Sequence, residues 1–415
     1  MYHTILGYLM FISSICLCVS ANIADNNGTG VEMLGEFKVC PAEIVEIRGE
    51  TVKLSEKAPG GWNSETKLGH IQCIKPGVGS PVPGALVPQS VRVWYGDKLL
   101  ELGKDYLCDQ EWGALGIGAQ SCVTPNEQVS VDYNFSLRRI DSLVVDSNGK
   151  KIILKGTSHL TVPEPPLISD GQKHLANVFI DYNSQGSNAL ILPIREASSA
   201  AKTETTPGRI PKTLAKIKAG HPVKIVCWGD SVTVGGEVSV EKRYATILEQ
   251  KLKEKFPQNK IVVDVIAVGG SNSMQWLFPV KHPNPGCDFK RVSDAAPDLV
   301  TIEFVNDTGI FSDIAQFQDE YNVILARLRN IGAEAILITP HFVKGMDRHK
   351  DTREYVANLK RFTKENELAL ADASARWKHL WMEGLPYETL LINNINHPDY
   401  RGHIIFAEEL IKCFE

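Results

Sequence analysis

The 415-residue sequence has no large excess of charge of either sign and no long run of like charges. Its 44 Lys and Arg residues nearly balance 49 Asp and Glu residues, which gives a formal net charge of −5 at pH 7. A protein that binds nucleic acid or an anionic membrane surface usually carries a basic patch or stripe. The composition therefore predicts that the partner is neither a nucleic acid nor an anionic membrane.

Long apolar stretches are equally scarce. One lies at residues 5–19, and no other is long enough to cross a bilayer. It is short for a membrane span and leads into Val19-Ser20-Ala21, small residues that fit a signal-peptide cleavage site. We therefore predict a signal peptide at 1–21 and a secreted protein, extracellular or periplasmic, with no integral membrane span after its removal. The alternative interpretation is a membrane anchor, because no Lys or Arg precedes the apolar stretch.

The nine cysteines form no Cys/His cluster with the spacing of a zinc site, so we expect no metal and no other cofactor. Cys16 and Cys18 fall within the predicted signal peptide, which leaves an odd number in the mature chain. Export makes disulfides possible, and Cys108 and Cys122 could pair across the glycine-rich reversal between them. The simplest free thiol is Cys227, a small apolar residue in a predicted core strand.

The sequence pattern changes near residue 195. Residues 36–194 contain many short segments rich in β-branched and aromatic residues, separated by Gly, Pro, Asn and Asp, which predicts an all-β sandwich or jelly-roll domain. Residues 195–222 begin with a polar stretch typical of a linker and include the short helical pattern "IPKTLAKIKAG". Strand and helix patterns alternate over 223–415, which predicts a doubly wound parallel sheet.

Several chemically useful residues follow predicted strands of the second region. Ser231 follows the first strand, Gly270 the second and Asn306 the third, and His397 stands just before the last helix. Because the carboxyl ends of parallel strands line one edge of a sheet, these residues are expected to meet in one cleft.

This set contains the groups that acyl transfer needs. A serine hydroxyl is a weak nucleophile until a base takes its proton, and histidine is the usual base near neutral pH. The tetrahedral intermediate carries an oxyanion, which needs preorganised hydrogen-bond donors. The Ser231 and Gly270 N–H groups and the Asn306 carboxamide could supply three such donors.

Four ordered motifs resemble those of the SGNH (GDSL) hydrolases: "GDS" at 229–231, "VGG" at 268–270, "VND" at 305–307 and "NHP" at 396–398. The resemblance covers roughly residues 205–415 and implies a flavodoxin-like, three-layer α/β/α fold. It implies that Ser231 is the nucleophile and His397 the general base, with Ser231, Gly270 and Asn306 forming the oxyanion hole. With a β-sandwich in front, the chain is also similar to two-domain carbohydrate (acetyl) esterases.

The sharper of two departures from the family pattern lies in the last motif; the other is Phe304, where the family usually has Gly two residues before the asparagine. The family usually has Asp three residues before the histidine, and here that position is Asn394. An amide can orient an imidazole but brings no negative charge, and this exchange can cost about 10,000-fold in rate. The site therefore works in one of two ways. Either it is a Ser–His dyad in which Asn394 or a backbone carbonyl orients the imidazole of His397, or another carboxylate replaces the missing acid. Asp372 and Glu303 are candidates for that carboxylate.

Other residues near the motifs have secondary roles in this interpretation. Asp230 is expected to hold the serine turn by hydrogen bonds, and Asp307 to brace the loop that carries the oxyanion amide. His341 follows a predicted strand and is a candidate for lining the substrate cleft. Trp276 either belongs to the core or stacks on a sugar.

Together these features predict a secreted serine esterase that removes small acyl groups, acetyl in the first place, from an acetylated polysaccharide or oligosaccharide. The substrate class is implied by the family resemblance. Two alternatives remain open. One is a lipase, arylesterase or thioesterase of the same superfamily, and the other is a carbohydrate-binding protein with impaired catalysis, which Asn394 favours.

Overall fold

The computed structural model describes residues 17–24, 31–73, 80–194, 201–311 and 313–415. The chain divides into two compact units. The first unit comprises Met1–Arg195 and Met382–Ile395, and the second comprises Glu196–Trp381 and Asn396–Glu415. The predicted signal peptide lies outside the described residues as far as residue 16, and 195–200 of the predicted linker also lie outside them.

The first unit is built from antiparallel strands, as the sequence predicts. More and less buried side chains alternate in the strand at Gln128–Ser136, because one face of this strand packs on an apolar core. The strands are β1 (Leu17–Ala24), β2 (Val31–Val39), β3 (Ile44–Lys53), β4 (Arg92–Tyr95), β5 (Lys98–Leu99), β6 (Tyr106–Asp109), β7 (Ala114–Ile117), β8 (Gln128–Ser136), β9 (Arg139–Val145), β10 (Lys151–Leu154), β11 (Lys173–Ile180) and β12 (Leu190–Pro193). They form sheets of order β3-β8-β4-β5 and β10-β9-β11-β12 and the pairs β1-β2 and β6-β7.

A segment from near the C-terminus completes the first unit. Asn177 on β11 donates a hydrogen bond of 2.9 Å from Nδ2 to the carbonyl oxygen of Gly384. Asn394 is buried, accepts a hydrogen bond from Arg138 through its Oδ1, and donates one of 2.9 Å to the carbonyl oxygen of Pro83. The second unit is therefore discontinuous in sequence, unlike the continuous domain at 223–415 that the sequence predicts.

The second unit contains the predicted parallel sheet. Its strands are β13 (Val223–Gly229), β14 (Ile261–Ala267), β15 (Leu299–Glu303), β16 (Glu334–Ile338) and β17 (Ala369–Ala371). Its helices are α1 (Pro211–Lys218), α2 (Ser231–Val234), α3 (Tyr244–Lys255), α4 (Ser273–Leu277), α5 (Lys290–Asp294), α6 (Ile314–Asn330), α7 (Glu354–Glu365), α8 (Ala373–His379) and α9 (Tyr400–Lys412). The strand order β14-β13-β15-β16-β17, parallel throughout, is the flavodoxin-like order and confirms the predicted fold.

Aromatic packing fixes the sheet beneath the strand ends. Trp228 on β13 is fully buried and makes edge contacts with Trp276, Phe289 and Phe304, with ring centroids 5.9, 5.6 and 5.2 Å away. Edge-to-face pairs of this kind stabilise a core beyond the area they bury. Trp276 is therefore a core residue and does not stack on a substrate.

The cysteine arrangement differs from the expected pairing. Cys108 and Cys122 are both free thiols. The register of the β6-β7 hairpin places Leu115 opposite Cys108, while Cys122 lies beyond the hairpin on the surface. Cys227 is free and buried, as predicted.

No helix within the described residues combines the length and apolar character needed to cross a membrane.

Candidate active site

The nucleophile candidate Ser231 occupies the predicted turn between strand and helix. β13 ends at Gly229, and Ser231 is the first residue of α2. Asp230 caps this helix, since its Oδ1 accepts a hydrogen bond of 3.0 Å from the Val232 N–H. A Cβ at position 229 would lie 2.2 Å from the carbonyl oxygen of Glu303, so the turn requires glycine there.

His397 bridges Ser231 and a carboxylate. Its Nε2 lies 2.9 Å from Oγ of Ser231, and its Nδ1 lies 2.5 Å from Oε1 of Glu237. An ionised carboxylate can only accept a hydrogen bond, so Nδ1 carries the proton and Nε2 is left to accept one from the serine hydroxyl. This is the order of contacts in a Ser–His–acid triad.

Glu237 was not predicted as a functional residue. It lies in the loop after α2, where Gly235 at φ +61° ends the helix and reverses the chain. Burial by itself raises the pKa of Glu237, but the hydrogen bond from His397, the charge interaction with that ring and a backbone hydrogen bond together outweigh burial, and the net pKa lies below its ordinary value. Its side chain is therefore a carboxylate at neutral pH. The only sequence signal was an acidic residue six positions after Ser231 in "VGGEVS".

The sequence suggested three partners for His397, and each of them makes other contacts: Asn394, Asp372 and Glu303. Asn394 lies in the first unit with Arg138, so the orienting role expected for it is wrong. Asp372 accepts a hydrogen bond of 2.7 Å from Nζ of Lys360. Glu303 is buried and accepts a hydrogen bond of 3.4 Å from the hydroxyl of Thr233.

The segments that carry the predicted oxyanion donors lie close together. Oδ2 of Asp230 accepts a hydrogen bond of 3.1 Å from the Asn306 N–H, so one carboxylate ties the serine turn to the asparagine loop. A Cβ at Gly269 would lie 3.8 Å from Cβ of Ser231, which places this loop beside the nucleophile. The next residue, Gly270, is exposed and has φ +72°, a conformation that favours glycine.

The side-chain amide of Asn306 is held in place by the neighbouring loop. Its Nδ2 donates a hydrogen bond of 2.9 Å to the carbonyl oxygen of Ser271. A carboxamide nitrogen has two N–H donors, and Ser271 takes one of them. Asn306 is therefore oriented by the loop that contains Gly270 and keeps a second donor for a substrate oxygen.

Buried carboxyl groups hold the backbone segments around Ser231 and Asn306 in place. Asp307 accepts hydrogen bonds of 2.9 Å from the Ser273 N–H and from the Tyr321 hydroxyl, which confirms its predicted bracing role. Burial raises the pKa of Asp307 to about 7 and that of Asp230 to about 6. Burial also raises the pKa of Glu303 well above its ordinary value.

His341 does not line an open cleft. Its side chain is fully buried, and its Nε2 lies 2.7 Å from the carbonyl oxygen of Asn396, the residue before His397. Burial lowers the pKa of His341 to about 3, so its ring is neutral and donates this hydrogen bond from Nε2. The residue supports the backbone of the His397 loop.

Ser231 thus lies at the edge of a flavodoxin-like sheet beside an imidazole, an arrangement that can activate a serine hydroxyl. Residues 227–405 match the model of the GDSL-like lipase/acylhydrolase family, and the four motifs lie inside the match. The match assigns residues 227–405 to that family, whose activity is carboxylic ester hydrolysis. Residues 108–196 match the model of a domain of unknown function, DUF4815. No curated protein matches the chain.

Three solved structures are similar to the chain. An acetylxylan esterase, Axe2 from Geobacillus stearothermophilus, is 19% identical with a TM-score of 0.38, over 46% of this chain and 95% of that one. A two-domain esterase active on acetylated mannans, CEX, is 19% identical with a TM-score of 0.40, over 50% of this chain and 53% of that one. An α/β hydrolase, LAE5 from the metagenome of Lake Arreo, Spain, is 19% identical with a TM-score of 0.37, over 46% of this chain and 93% of that one.

Proposed function

We propose that this protein is a secreted serine esterase that removes acetyl or other small acyl groups from a polysaccharide or oligosaccharide. The observation that carries the catalytic part is the position of His397 between Ser231 and Glu237. The carbohydrate substrate is supported by the motifs and domain order, which resemble those of two-domain carbohydrate esterases. Secretion is supported by the signal-peptide pattern at 1–21.

In this mechanism Oγ of Ser231 attacks the ester carbonyl carbon while Nε2 of His397 takes the hydroxyl proton. The imidazole becomes positively charged as the tetrahedral intermediate forms. The Glu237 carboxylate, 2.5 Å from Nδ1, stabilises that charge and holds the ring in the required tautomer.

The intermediate places a negative charge on the former carbonyl oxygen. The Asn306 carboxamide and the N–H groups of Ser231 and Gly270 belong to the segments that meet beside the nucleophile, and we assign them to this oxyanion. His397 then protonates the departing sugar oxygen, and the acyl group stays on Ser231. Water, deprotonated by the same imidazole, attacks the acyl-enzyme and releases the carboxylic acid.

The test is acetate release from acetylated xylan and acetylated glucomannan, beside hydrolysis of 4-nitrophenyl acetate and 4-nitrophenyl octanoate. The polymers are chosen because structurally similar proteins act on acetylated xylan and acetylated mannans. Ser231→Ala should lower every activity of the wild type by at least about 1,000-fold. The matched control is Ser239→Ala, an exposed serine of the same unit, which should leave activity unchanged.

The outcomes separate the candidate functions. Ser231-dependent acetate release from a polymer supports the proposal. Turnover of the octanoate ester without acetate release would favour a lipase or related esterase. Absence of turnover on all four substrates would favour a carbohydrate-binding protein with impaired catalysis.

A further inference from the structure

The first unit presents two tryptophans at one surface site. Trp62 is 43% exposed, although tryptophan is usually largely buried. Its ring lies against that of half-buried Trp112 with centroids 6.2 Å apart and an interplanar angle of 86°. The two rings come from separate segments, the loop after β3 and the turn between β6 and β7.

One carboxylate fixes the backbone of both segments. Asp109 accepts a hydrogen bond of 2.8 Å from the Gly61 N–H through Oδ2 and one of 3.2 Å from the Trp112 N–H through Oδ1. Gly61 directly precedes Trp62 in sequence. Both tryptophan-bearing backbones are therefore positioned by the same side chain.

Main-chain hydrogen bonds reinforce this arrangement. The Leu68 N–H donates to Gly113 at 2.9 Å, and the Leu115 N–H donates to Thr66 at 3.0 Å. Gly113 has φ +57°, and a Cβ there would lie 2.1 Å from Cδ1 of Ile71, so this turn requires glycine. A surface fixed in this way loses little conformational freedom when it binds a ligand.

The side chains around the two rings indicate which kind of ligand could bind there. Nζ of Lys67 lies 5.8 Å from the Trp62 ring centroid, and Asn63, the residue after Trp62, is exposed. The site thus combines an apolar aromatic surface with hydrogen-bond donors and acceptors on Lys67 and Asn63. A pyranose ring matches this combination, because its C–H face packs on an aromatic ring while its hydroxyls need polar partners. A stable protein–protein interface would need about 800 Å² on each partner, far more than two aromatic side chains provide.

We propose that Trp62 and Trp112 form a carbohydrate-binding site on the first unit that takes a pyranose ring of a neutral polysaccharide. Both tryptophans belong to the first unit, whereas Ser231 and His397 belong to the second. The identity of the polymer rests on the proposed function, since we expect the chain to bind the polysaccharide that it deacetylates.

The test is affinity electrophoresis of the full chain in native gels that contain acetylated xylan or acetylated glucomannan. Wild type should be retarded in at least one gel, and Trp62→Ala should bind that polymer about tenfold more weakly. Trp62→Phe keeps an aromatic face and should lie between the two. The matched control is Leu99→Ala, which removes an exposed apolar side chain of the same unit, 47% exposed, and should be retarded like wild type.

Hydrolysis of 4-nitrophenyl acetate and the thermal unfolding curve show whether each variant is folded, and we expect both to be unchanged by Trp62→Ala. Equal retardation of wild type and Trp62→Ala, or no retardation in either gel, overturns the proposal. Trp62-dependent retardation without acetate release would sustain the binding site and refute the proposed function. Acetate release together with equal retardation of wild type and Trp62→Ala would support the proposed function and refute the binding site.

Discussion

Oε1 of Glu237 lies 2.5 Å from Nδ1 of His397, although 160 residues separate them in the chain. The contact places a negative charge beside the imidazole nitrogen that does not face Ser231. The family pattern provides this charge from an aspartate three residues before the histidine, and here the position holds Asn394. A loop that follows the nucleophile thus supplies the acid that the histidine loop lacks.

We predict that Glu237→Gln lowers kcat for acetyl ester hydrolysis by about 1,000- to 10,000-fold, because the amide cannot stabilise the charged imidazole. Glu237→Asp retains the charge and should recover part of the rate. Steady-state kinetics on 4-nitrophenyl acetate measures both effects. The matched control is Glu241→Gln, an exposed acid four residues further on, which should behave as wild type.

A rate for Glu237→Gln within tenfold of wild type would show that catalysis relies on Ser231 and His397 alone. The double variant Glu237→Gln/Asn394→Asp tests the family's usual position directly. Because Asn394 is bound to Arg138 and Pro83, the new carboxylate should give no recovery. Recovery of tenfold or more would restore the role that the sequence suggested for this position.

Asn306→Ala should lower kcat about 100-fold with little change in KM, because an oxyanion donor acts mainly in the transition state. The main-chain bond from Asn306 N–H to Asp230 does not depend on the side chain, so the loop should keep its connection to the serine turn. Kinetics on a soluble acetyl ester separates the two constants. An increase in KM with unchanged kcat would assign Asn306 to substrate binding only.

Asp307→Asn should change the pH dependence of stability. Burial raises the pKa of Asp307 from 3.8 to about 7, so the folded chain keeps a proton that the unfolded chain releases. The contribution of this group to the free energy of unfolding therefore falls as pH rises from about 4 to 7. Asparagine keeps an oxygen acceptor for the Ser273 N–H and does not titrate.

Relative to wild type, Asp307→Asn should thus become progressively more stable across that pH window. Urea unfolding of both chains at several pH values between 4 and 8 measures the difference. Removal of the Asp307 charge also lessens the repulsion that raises the pKa of Glu303, which changes stability in the same direction. A constant stability difference across the window would contradict the prediction.

The parallel sheet and the placement of Ser231, Asn306 and His397 were predictable because each depends on a local pattern at a strand or helix end. Glu237, the carboxylate partner of His397, was not predictable, because its position depends on how a loop 160 residues away in the sequence folds. The family spacing points to Asn394, whose side chain is bound to Arg138 and Pro83 instead. Burial was equally hard to predict: Trp276 and His341 lie near the motifs, and only the packing shows that both are enclosed.

In the first unit short strands were predictable from segments rich in β-branched and aromatic residues between turn residues, and their arrangement was not. Sheet order depends on pairings between distant segments, such as β3 with β8, which no local signal specifies. The spacing of Cys108 and Cys122 suggested a disulfide across a reversal. The actual hairpin register sets Leu115 opposite Cys108 instead.

The discontinuity of the first unit has a consequence for the order of events during synthesis. Residues 382–395, including buried Leu390 and Leu391, belong to a unit whose other part ends at residue 195. A ribosome that adds about 5–20 residues per second needs about 10–40 s to make the roughly 200 residues between these parts. The unit begun first is therefore completed only when nearly the whole chain has emerged, and a nascent chain that stops before residue 382 leaves it without its last segment.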